Sequence, residues 1–198
     1  LVTATVTLSI VAVYSPQRTR IVMGSLAVLW LYAGLAYHLA FFAKLTPAAY
    51  VFAALFLIQA VMLAWHGLRT RRLRLAVPPD RTSRIVGSVL ILYALIGYAA
   101  AAYLAGQRYP AVPTFGLPCP TTILTLGVLL WCLRPVPWSV LVVPVAWSFI
   151  ATTAALAFGV VEDIVLSVAA MLALGVLLRR PPRTHLAPRP RADFHCAR

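Results

Sequence analysis

The chain has 198 residues, of which 62% are hydrophobic and 11% are charged, and its formal net charge is +13. Soluble domains contain roughly 45–50% apolar and about 25% charged residues, so this composition and a mean hydropathy of +0.91 exclude an ordinary soluble domain. The basic residues stand in short segments between apolar runs without a nucleic-acid reader motif, which excludes a nucleic-acid-binding protein. The composition therefore indicates a chain that lies mostly in lipid.

Seven apolar runs follow one another along the chain. The first, residues 1–14, spans only about 21 Å as a helix, against roughly 30 Å of bilayer hydrocarbon. It lacks the basic region and the cleavage site of a signal peptide, so we expect it to be the remainder of a truncated transmembrane helix. The six later runs are residues 21–43, 48–68, 85–105, 120–133, 138–159 and 161–178.

Most of these runs have the length that a spanning helix needs, and they lack the polar–apolar alternation of a β-barrel. The predicted fold class is all-α, a polytopic transmembrane bundle of about seven helices in residues 1–178, with the first helix incomplete. Residues 179–198 form a basic, proline-rich tail, for which we expect disorder, a cytoplasmic position and contact with anionic lipids.

The basic residues predict the orientation of the bundle, because cytoplasmic loops carry an excess of Lys and Arg. Lys44 and Arg108 lie in loops on one side, and the other 15 of the 17 Lys and Arg residues lie on the opposite side. This imbalance predicts a cytoplasmic C-terminus. The basic side holds Arg18, Arg20, Arg69, Arg71, Arg72, Arg74, Arg81, Arg84, Arg134, Arg179, Arg180, Arg183, Arg189, Arg191 and Arg198.

Several polar residues lie within or beside the apolar runs, although no Asp, Glu, Lys or Arg lies in the middle of one. Counted from the outer ends of their helices, His38 lies about 7 Å deep and Gln59 about 18 Å deep. Each side chain is either a hydrogen-bonded link between helices or part of a binding site. Glu162 and Asp163 open the last run on the outer side, as caps of a helix N-terminus or as the rim of a pocket.

The tryptophans divide into two groups. Trp30, Trp65 and Trp138 lie near the predicted ends of spans, as interfacial tryptophans do. Trp147 falls near the middle of a span, where its indole N–H needs a hydrogen-bond partner.

The stretch FGLPCPTTILTLG, residues 115–127, precedes a short run. Residues 120–133 make about 21 Å of helix, which leaves roughly 9 Å of hydrocarbon to cross. We expect residues 115–119 to cross it in extended form, with Pro120 at the first helical position and Cys119 close to the depth of His38. Thr121 and Thr125 continue down one face of this helix. The geometry predicts a pocket below the outer surface, lined by His38, Cys119, Thr121 and Thr125, with Gln59, Glu162 and Asp163 as further candidates.

Three stretches carry a resemblance to a known family: AYHLAFFAKLTPAAYVFAALFLIQA (36–60), FGLPCPTTILTLGVLL (115–130) and GVVEDIVL (159–166). Together they resemble DUF6064, a bacterial family of multi-pass membrane proteins of unknown function. The resemblance implies a bacterial plasma membrane, an additional N-terminal segment, and membership of His38, Gln59, Cys119, Thr121, Glu162 and Asp163 in the family pattern. It implies no activity and no cofactor.

Three functions remain open from the sequence. The first is binding or transport of a small solute or ion at the outer pocket, with a metal as one candidate through His38 and Cys119. The second is an accessory or structural subunit without a site of its own, partnered by itself or by another membrane protein. The third, a membrane enzyme with Cys119 as nucleophile and His38 as base, is the least favoured.

Overall fold

The computed structural model describes residues 17–104, 106, 116–133, 135–158 and 164–179. These residues form six helices, and apart from one isolated bridge they contain no strand. The predicted all-helical fold is confirmed, and each of the six runs between residues 21 and 178 corresponds to one helix. The first run and the tail after residue 179 lie outside the described residues. The helices are α1 (Arg18–Lys44), α2 (Ala48–Arg69), α3 (Arg81–Leu104), α4 (Pro118–Leu130), α5 (Val142–Phe158) and α6 (Ile164–Arg179).

Three of these helices are long and apolar enough to cross a membrane. α1, α2 and α3 have 27, 22 and 24 residues, which correspond to about 33–40 Å against roughly 30 Å of hydrocarbon. The other three are apolar but shorter, with 13 residues in α4, 17 in α5 and 16 in α6. A 3₁₀ turn, Trp138–Val140, precedes α5 and extends it toward the basic side.

The short helix α4 forms the centre of the bundle. Each residue from Pro120 to Leu130 is buried, and α4 packs against α1, α3, α5 and α6. A helix that is apolar on all sides needs this surrounding. Gly127 and Gly87 allow α3 to approach α4 closely, because a Cβ on either glycine would come within about 3 Å of the other's carbonyl oxygen. The sequence thus supplies small residues at this close helix crossing.

The start of α4 differs from the prediction. The helix begins at Pro118 and not at Pro120, and Leu117 is its extended N-cap residue. Proline fits the first helical position because an N–H group there would have no intrahelical partner, so its absence costs no hydrogen bond. Pro118 comes earlier in the chain than Pro120, and the helix begins there. Cys119 therefore lies in the first helical turn and not in an extended segment. With 13 residues, α4 still makes only about 20 Å of helix.

The connection between α2 and α3 folds back beneath α4. The N–H of Leu133 donates to the carbonyl of Arg74 at 2.7 Å, and the N–H of Ala76 donates to the carbonyl of Trp131 at 3.0 Å. Leu75 and Cys132 form an isolated antiparallel bridge between these two hydrogen bonds. This connection thereby satisfies a carbonyl at the end of α4 that the helix itself leaves without a partner.

The three long helices each contain a π-helical segment. The segments are Ala33–Phe41 in α1, Trp65–Arg69 in α2 and Tyr93–Gly97 in α3. π-helical turns are rare and are frequently found at functional sites. His38 lies in the first segment and His66 in the second.

Candidate functional site

His38 is fully buried in a cluster of aromatic rings. The rings come from α1, α2 and α5, so three helices enclose the imidazole. Neither ring nitrogen has a hydrogen-bond partner among the described residues. The distances between ring centroids are 4.6 Å to Phe56, 5.0 Å to Trp147 and to Tyr37, 5.8 Å to Phe52 and 6.1 Å to Phe42.

The unpaired nitrogens of His38 make this cluster unusual. A neutral imidazole offers one N–H donor and one acceptor, and most buried polar groups in proteins are hydrogen-bonded. The indole Nε1 of Trp147, which packs edge-on against His38, is also buried and without a partner. The predicted partner for the Trp147 indole N–H is therefore not found among the described residues. Two side chains in direct contact leave three polar nitrogen atoms unpaired.

The sequence profile of the family of unknown function DUF6064 matches residues 1–187. The chain belongs to the DUF6064 family. No curated protein and no solved structure matches it. The family resemblance read from the sequence is thus confirmed, and the chemistry of the site has to be derived from the residues themselves.

Thr125 of this DUF6064 member links α4 to the aromatic cluster. Its hydroxyl accepts from the indole N–H of Trp30 at 2.9 Å and donates to the carbonyl of Thr121 at 2.8 Å. The Trp30 ring packs against Phe56 at 4.4 Å between centroids, and Phe56 in turn contacts His38. Trp30 is fully buried, so it is not the interfacial residue expected from its place in the sequence.

Thr121 lies one helical turn from Thr125, on the same face of α4. It is fully buried, and its hydroxyl oxygen has no partner among the described residues. Among the predicted pocket residues that the structure describes, Thr121 and His38 have no hydrogen-bond partner for any side-chain N or O atom.

Cys119 is half-buried in the first turn of α4. Since both nitrogens of His38 lack a hydrogen-bond partner, Cys119 does not hydrogen-bond to His38. The described structure therefore does not assemble the cysteine–histidine pair that a nucleophilic mechanism needs.

Gln59 connects α2 to the start of α5. Its side-chain N–H donates to the carbonyl of Val140 at 3.0 Å, and the residue is fully buried. The Oε1 atom of Gln59 has no partner within the described part of the chain. This hydrogen bond agrees with an interhelical link, whereas the alternative interpretation of Gln59 from the sequence was a part of a binding site.

Glu162 and Asp163 lie outside the described residues, so their prediction as rim or cap is untested. Among the residues that the structure does describe, no group of three or more His, Cys, Asp or Glu side chains could hold a metal ion. The metal hypothesis for His38 and Cys119 stays a prediction, and these two residues alone are too few for a closed site.

Sequence reasoning missed a second buried histidine, His66, in the π-helical segment of α2. Its Nε2 lies 2.9 Å from the hydroxyl of Ser139, and its backbone carbonyl accepts from Leu73 at 3.1 Å. The signal available in the sequence was a histidine inside an apolar run next to Gly67. Unlike His38, His66 has a side-chain partner, which makes it a natural control for experiments on His38.

Proposed function

We propose that this DUF6064 member is a multi-pass membrane protein that binds a small polar solute or an ion at His38, in the outer half of its helical bundle. Three helices of sufficient length and apolar composition support a membrane position. The helices also present large apolar side chains outward, such as Val28 on α1, Ile58 on α2 and Ile96 on α3, each at least half exposed. Surfaces of this kind require lipid or another protein to cover them.

The observation that carries the proposal is a fully buried His38 whose two ring nitrogens have no hydrogen-bond partner among the described residues. Leaving a buried polar group without a hydrogen bond costs about 1–3 kcal/mol. Phenylalanine at this position would avoid that cost in a cage of five aromatic rings. A histidine is favoured there if a bound molecule accepts from its N–H and donates to its other nitrogen.

The neighbouring polar atoms define the ligand further. The indole N–H of Trp147 offers a donor next to the imidazole. Asp80 is the acidic residue that the described part of the chain contains, and it caps the N-terminus of α3 through Ser83. Among the described residues, no carboxylate therefore lies beside His38, which favours a small neutral solute with both donor and acceptor groups.

The orientation in the membrane follows from the arginines. Arg18, Arg20, Arg71 and Arg74 are exposed and lie around one end of the bundle. We place this end in the cytoplasm of a bacterial plasma membrane, because basic residues concentrate on the cytoplasmic side. His38 follows Arg18 by 20 positions of α1, about 30 Å along the axis, so it lies toward the outer side.

Native mass spectrometry of the full chain, purified in a mild detergent, tests the proposal. We expect a bound solute that adds the same mass in the wild type and in the His66→Phe variant, and that is lost in His38→Phe. If none of the three proteins carries an added mass, solute binding at His38 would be contradicted. This result would favour the accessory-subunit hypothesis, in which the polar residues only connect helices.

A further inference from the structure

A polar cavity of about 410 Å³ lies where α1 begins, at the end of the bundle opposite His38. Four arginines line it, Arg18 and Arg20 from α1 together with Arg71 and Arg74 from the α2–α3 connection. None of the described residues that line this cavity is acidic. The cavity therefore has a local excess of positive charge.

Two features of the backbone make the positions of these arginines energetically unfavourable. Arg18 and Arg20 occupy the first turn of α1, where the helix dipole disfavours cations. Arg71 has a φ of +54°, a left-handed conformation that residues other than glycine seldom adopt. Backbone strain of this kind is concentrated at ligand sites. A bound anion would compensate the unfavourable charge at the start of α1.

An apolar groove of about 520 Å³ adjoins the arginine cavity. It runs between α1, α3 and α4, and its walls include Ile21, Leu29, Ile91, Leu95, Leu124 and Val128. From Ile21 to Leu29 the groove follows α1 for eight residues, about 12 Å. An extended apolar chain fits such a groove better than a compact solute does.

Leu75 lines both the arginine cavity and the apolar groove, so the two spaces are neighbours. Its position is fixed from two sides. The N–H of Leu75 donates to the hydroxyl of Thr19 at 3.0 Å, and Leu75 pairs with Cys132 beyond the end of α4. A basic cavity and an apolar groove thus meet at one fixed residue.

We propose that the cavity and the groove together bind one anionic phospholipid, with its phosphate among the four arginines and an acyl chain in the groove. Guanidinium groups bind phosphate oxygens in a bidentate manner, which makes arginine well suited to this head group. The site is independent of the solute site proposed at His38. It is also distinct from the general attraction between a basic surface and an anionic membrane, because it needs particular arginines and a particular groove.

Quenching of tryptophan fluorescence by brominated lipids tests this proposal, because Trp131 lines the groove. The full chain is reconstituted in phosphatidylcholine vesicles, and brominated phosphatidylglycerol or brominated phosphatidylcholine is added at increasing mole fraction. We expect brominated phosphatidylglycerol to quench at a mole fraction at least roughly tenfold lower, because each basic side chain near an anionic surface contributes about fivefold. The Trp131→Phe variant should lose this component of the quenching.

Two variants with the same change of charge separate a defined site from diffuse attraction. Arg71→Gln with Arg74→Gln removes two arginines that line the cavity. Arg69→Gln with Arg72→Gln removes two exposed arginines nearby, one at the end of α2 and one in the α2–α3 connection, that are not among the residues lining the cavity. We expect the first pair to abolish the preference for phosphatidylglycerol and the second pair to retain it. Thermal unfolding of each variant verifies that the bundle is folded.

A third variant, Ser88→Phe, tests the groove without adding a tryptophan to the assay, because Ser88 is exposed and lines it. We expect the larger side chain to weaken phosphatidylglycerol quenching, and inorganic phosphate to displace the lipid poorly. Equal losses in the two arginine pairs, or equal quenching by the two lipids, would overturn the proposal. Full displacement by inorganic phosphate with no effect of Ser88→Phe would also overturn it, as this result describes a site for free phosphate.

Discussion

The indole N–H of Trp30 donates to the hydroxyl of Thr125 at 2.9 Å, and this bond joins α1 to the central helix α4 in the buried interior. The two residues are 95 positions apart in the sequence. Because lipid provides no hydrophobic force between helices, polar contacts of this kind and close packing hold a membrane bundle together. The Trp30–Thr125 bond also positions Phe56, against which the Trp30 ring packs, beside His38.

Replacing Thr125 by valine should destabilise the bundle, because it leaves the indole N–H of Trp30 buried without an acceptor. We expect a loss of about 1–3 kcal/mol in the free energy of unfolding, measured by titration with a denaturing detergent. Thr125→Ser keeps the hydroxyl and should lose less. Thr153→Val is the matched control, since Thr153 is exposed and its hydroxyl donates to the carbonyl of Ile150 in its own helix. Equal effects of the changes at positions 125 and 153 would show that the Trp30–Thr125 bond does not stabilise the fold.

Replacing Gly67 by alanine should separate α1 from α2. A Cβ at Gly67 would lie 2.3 Å from the Cβ of Met23, which is closer than real contacts allow. Overpacking of this kind typically costs about 1–3 kcal/mol. The double variant with Met23→Gly, which removes the clashing Cβ, should recover part of the loss. Gly175→Ala should be tolerated, because among the described residues no atom outside the backbone of its own helix lies within 4 Å of the added Cβ. Thermal unfolding in detergent compares the four proteins, and full tolerance of Gly67→Ala would contradict the close crossing of α1 and α2.

The sequence predicted features that depend on residues close together in the chain, and it missed features that depend on contacts between distant residues. The apolar runs predicted the six described helices because each run is continuous in sequence. The start of α4 was misplaced by two residues, because Pro118 and Pro120 both suit a helix N-terminus. The burial of Trp30 was not predictable, since its acceptor Thr125 lies far along the chain.

The candidate site was predicted only in part, for the same reason. His38 was expected at a buried position and is fully buried. The surroundings of its nitrogens, which have no partner in the described part of the chain, depend on rings from α2 and α5, whose positions the sequence does not give. Arg18 and Arg71 likewise come together only because the α2–α3 connection folds back beneath α4.

Replacing Gln59 by leucine should separate its structural role from any role in the pocket. The change removes the hydrogen bond to the carbonyl of Val140, and we expect a loss of about 0.5–2 kcal/mol in stability. If Gln59 only connects α2 to α5, solute binding should persist in the folded variant. Loss of the solute adduct in a folded Gln59→Leu protein would instead assign Gln59 to the pocket, and native mass spectrometry distinguishes the two results.

The three cysteines provide a test of the proposed orientation. Cys119 is half-buried at the start of α4, whereas Cys132 is buried beyond its opposite end. We expect a small membrane-impermeant thiol reagent to label Cys119 in intact cells and Cys196 only after permeabilisation, with Cys132 protected in both cases. Single-cysteine variants with serine at the other two positions identify each label. Labelling of Cys196 in intact cells would reverse the orientation.

The most direct test of the central claim is the ¹⁵N nuclear magnetic resonance signal of the His38 ring in the full chain in lipid bilayers. The protein is labelled with ¹⁵N-histidine, and His38→Phe and His66→Phe assign the signals of the two buried rings. We predict that both nitrogens of His38 show the shifts of hydrogen-bonded or ligated nitrogen in the protein as isolated, and that these shifts change when the bound solute is removed by exhaustive exchange. Shifts of free nitrogen at both positions, unaffected by that exchange, would contradict a binding site at His38.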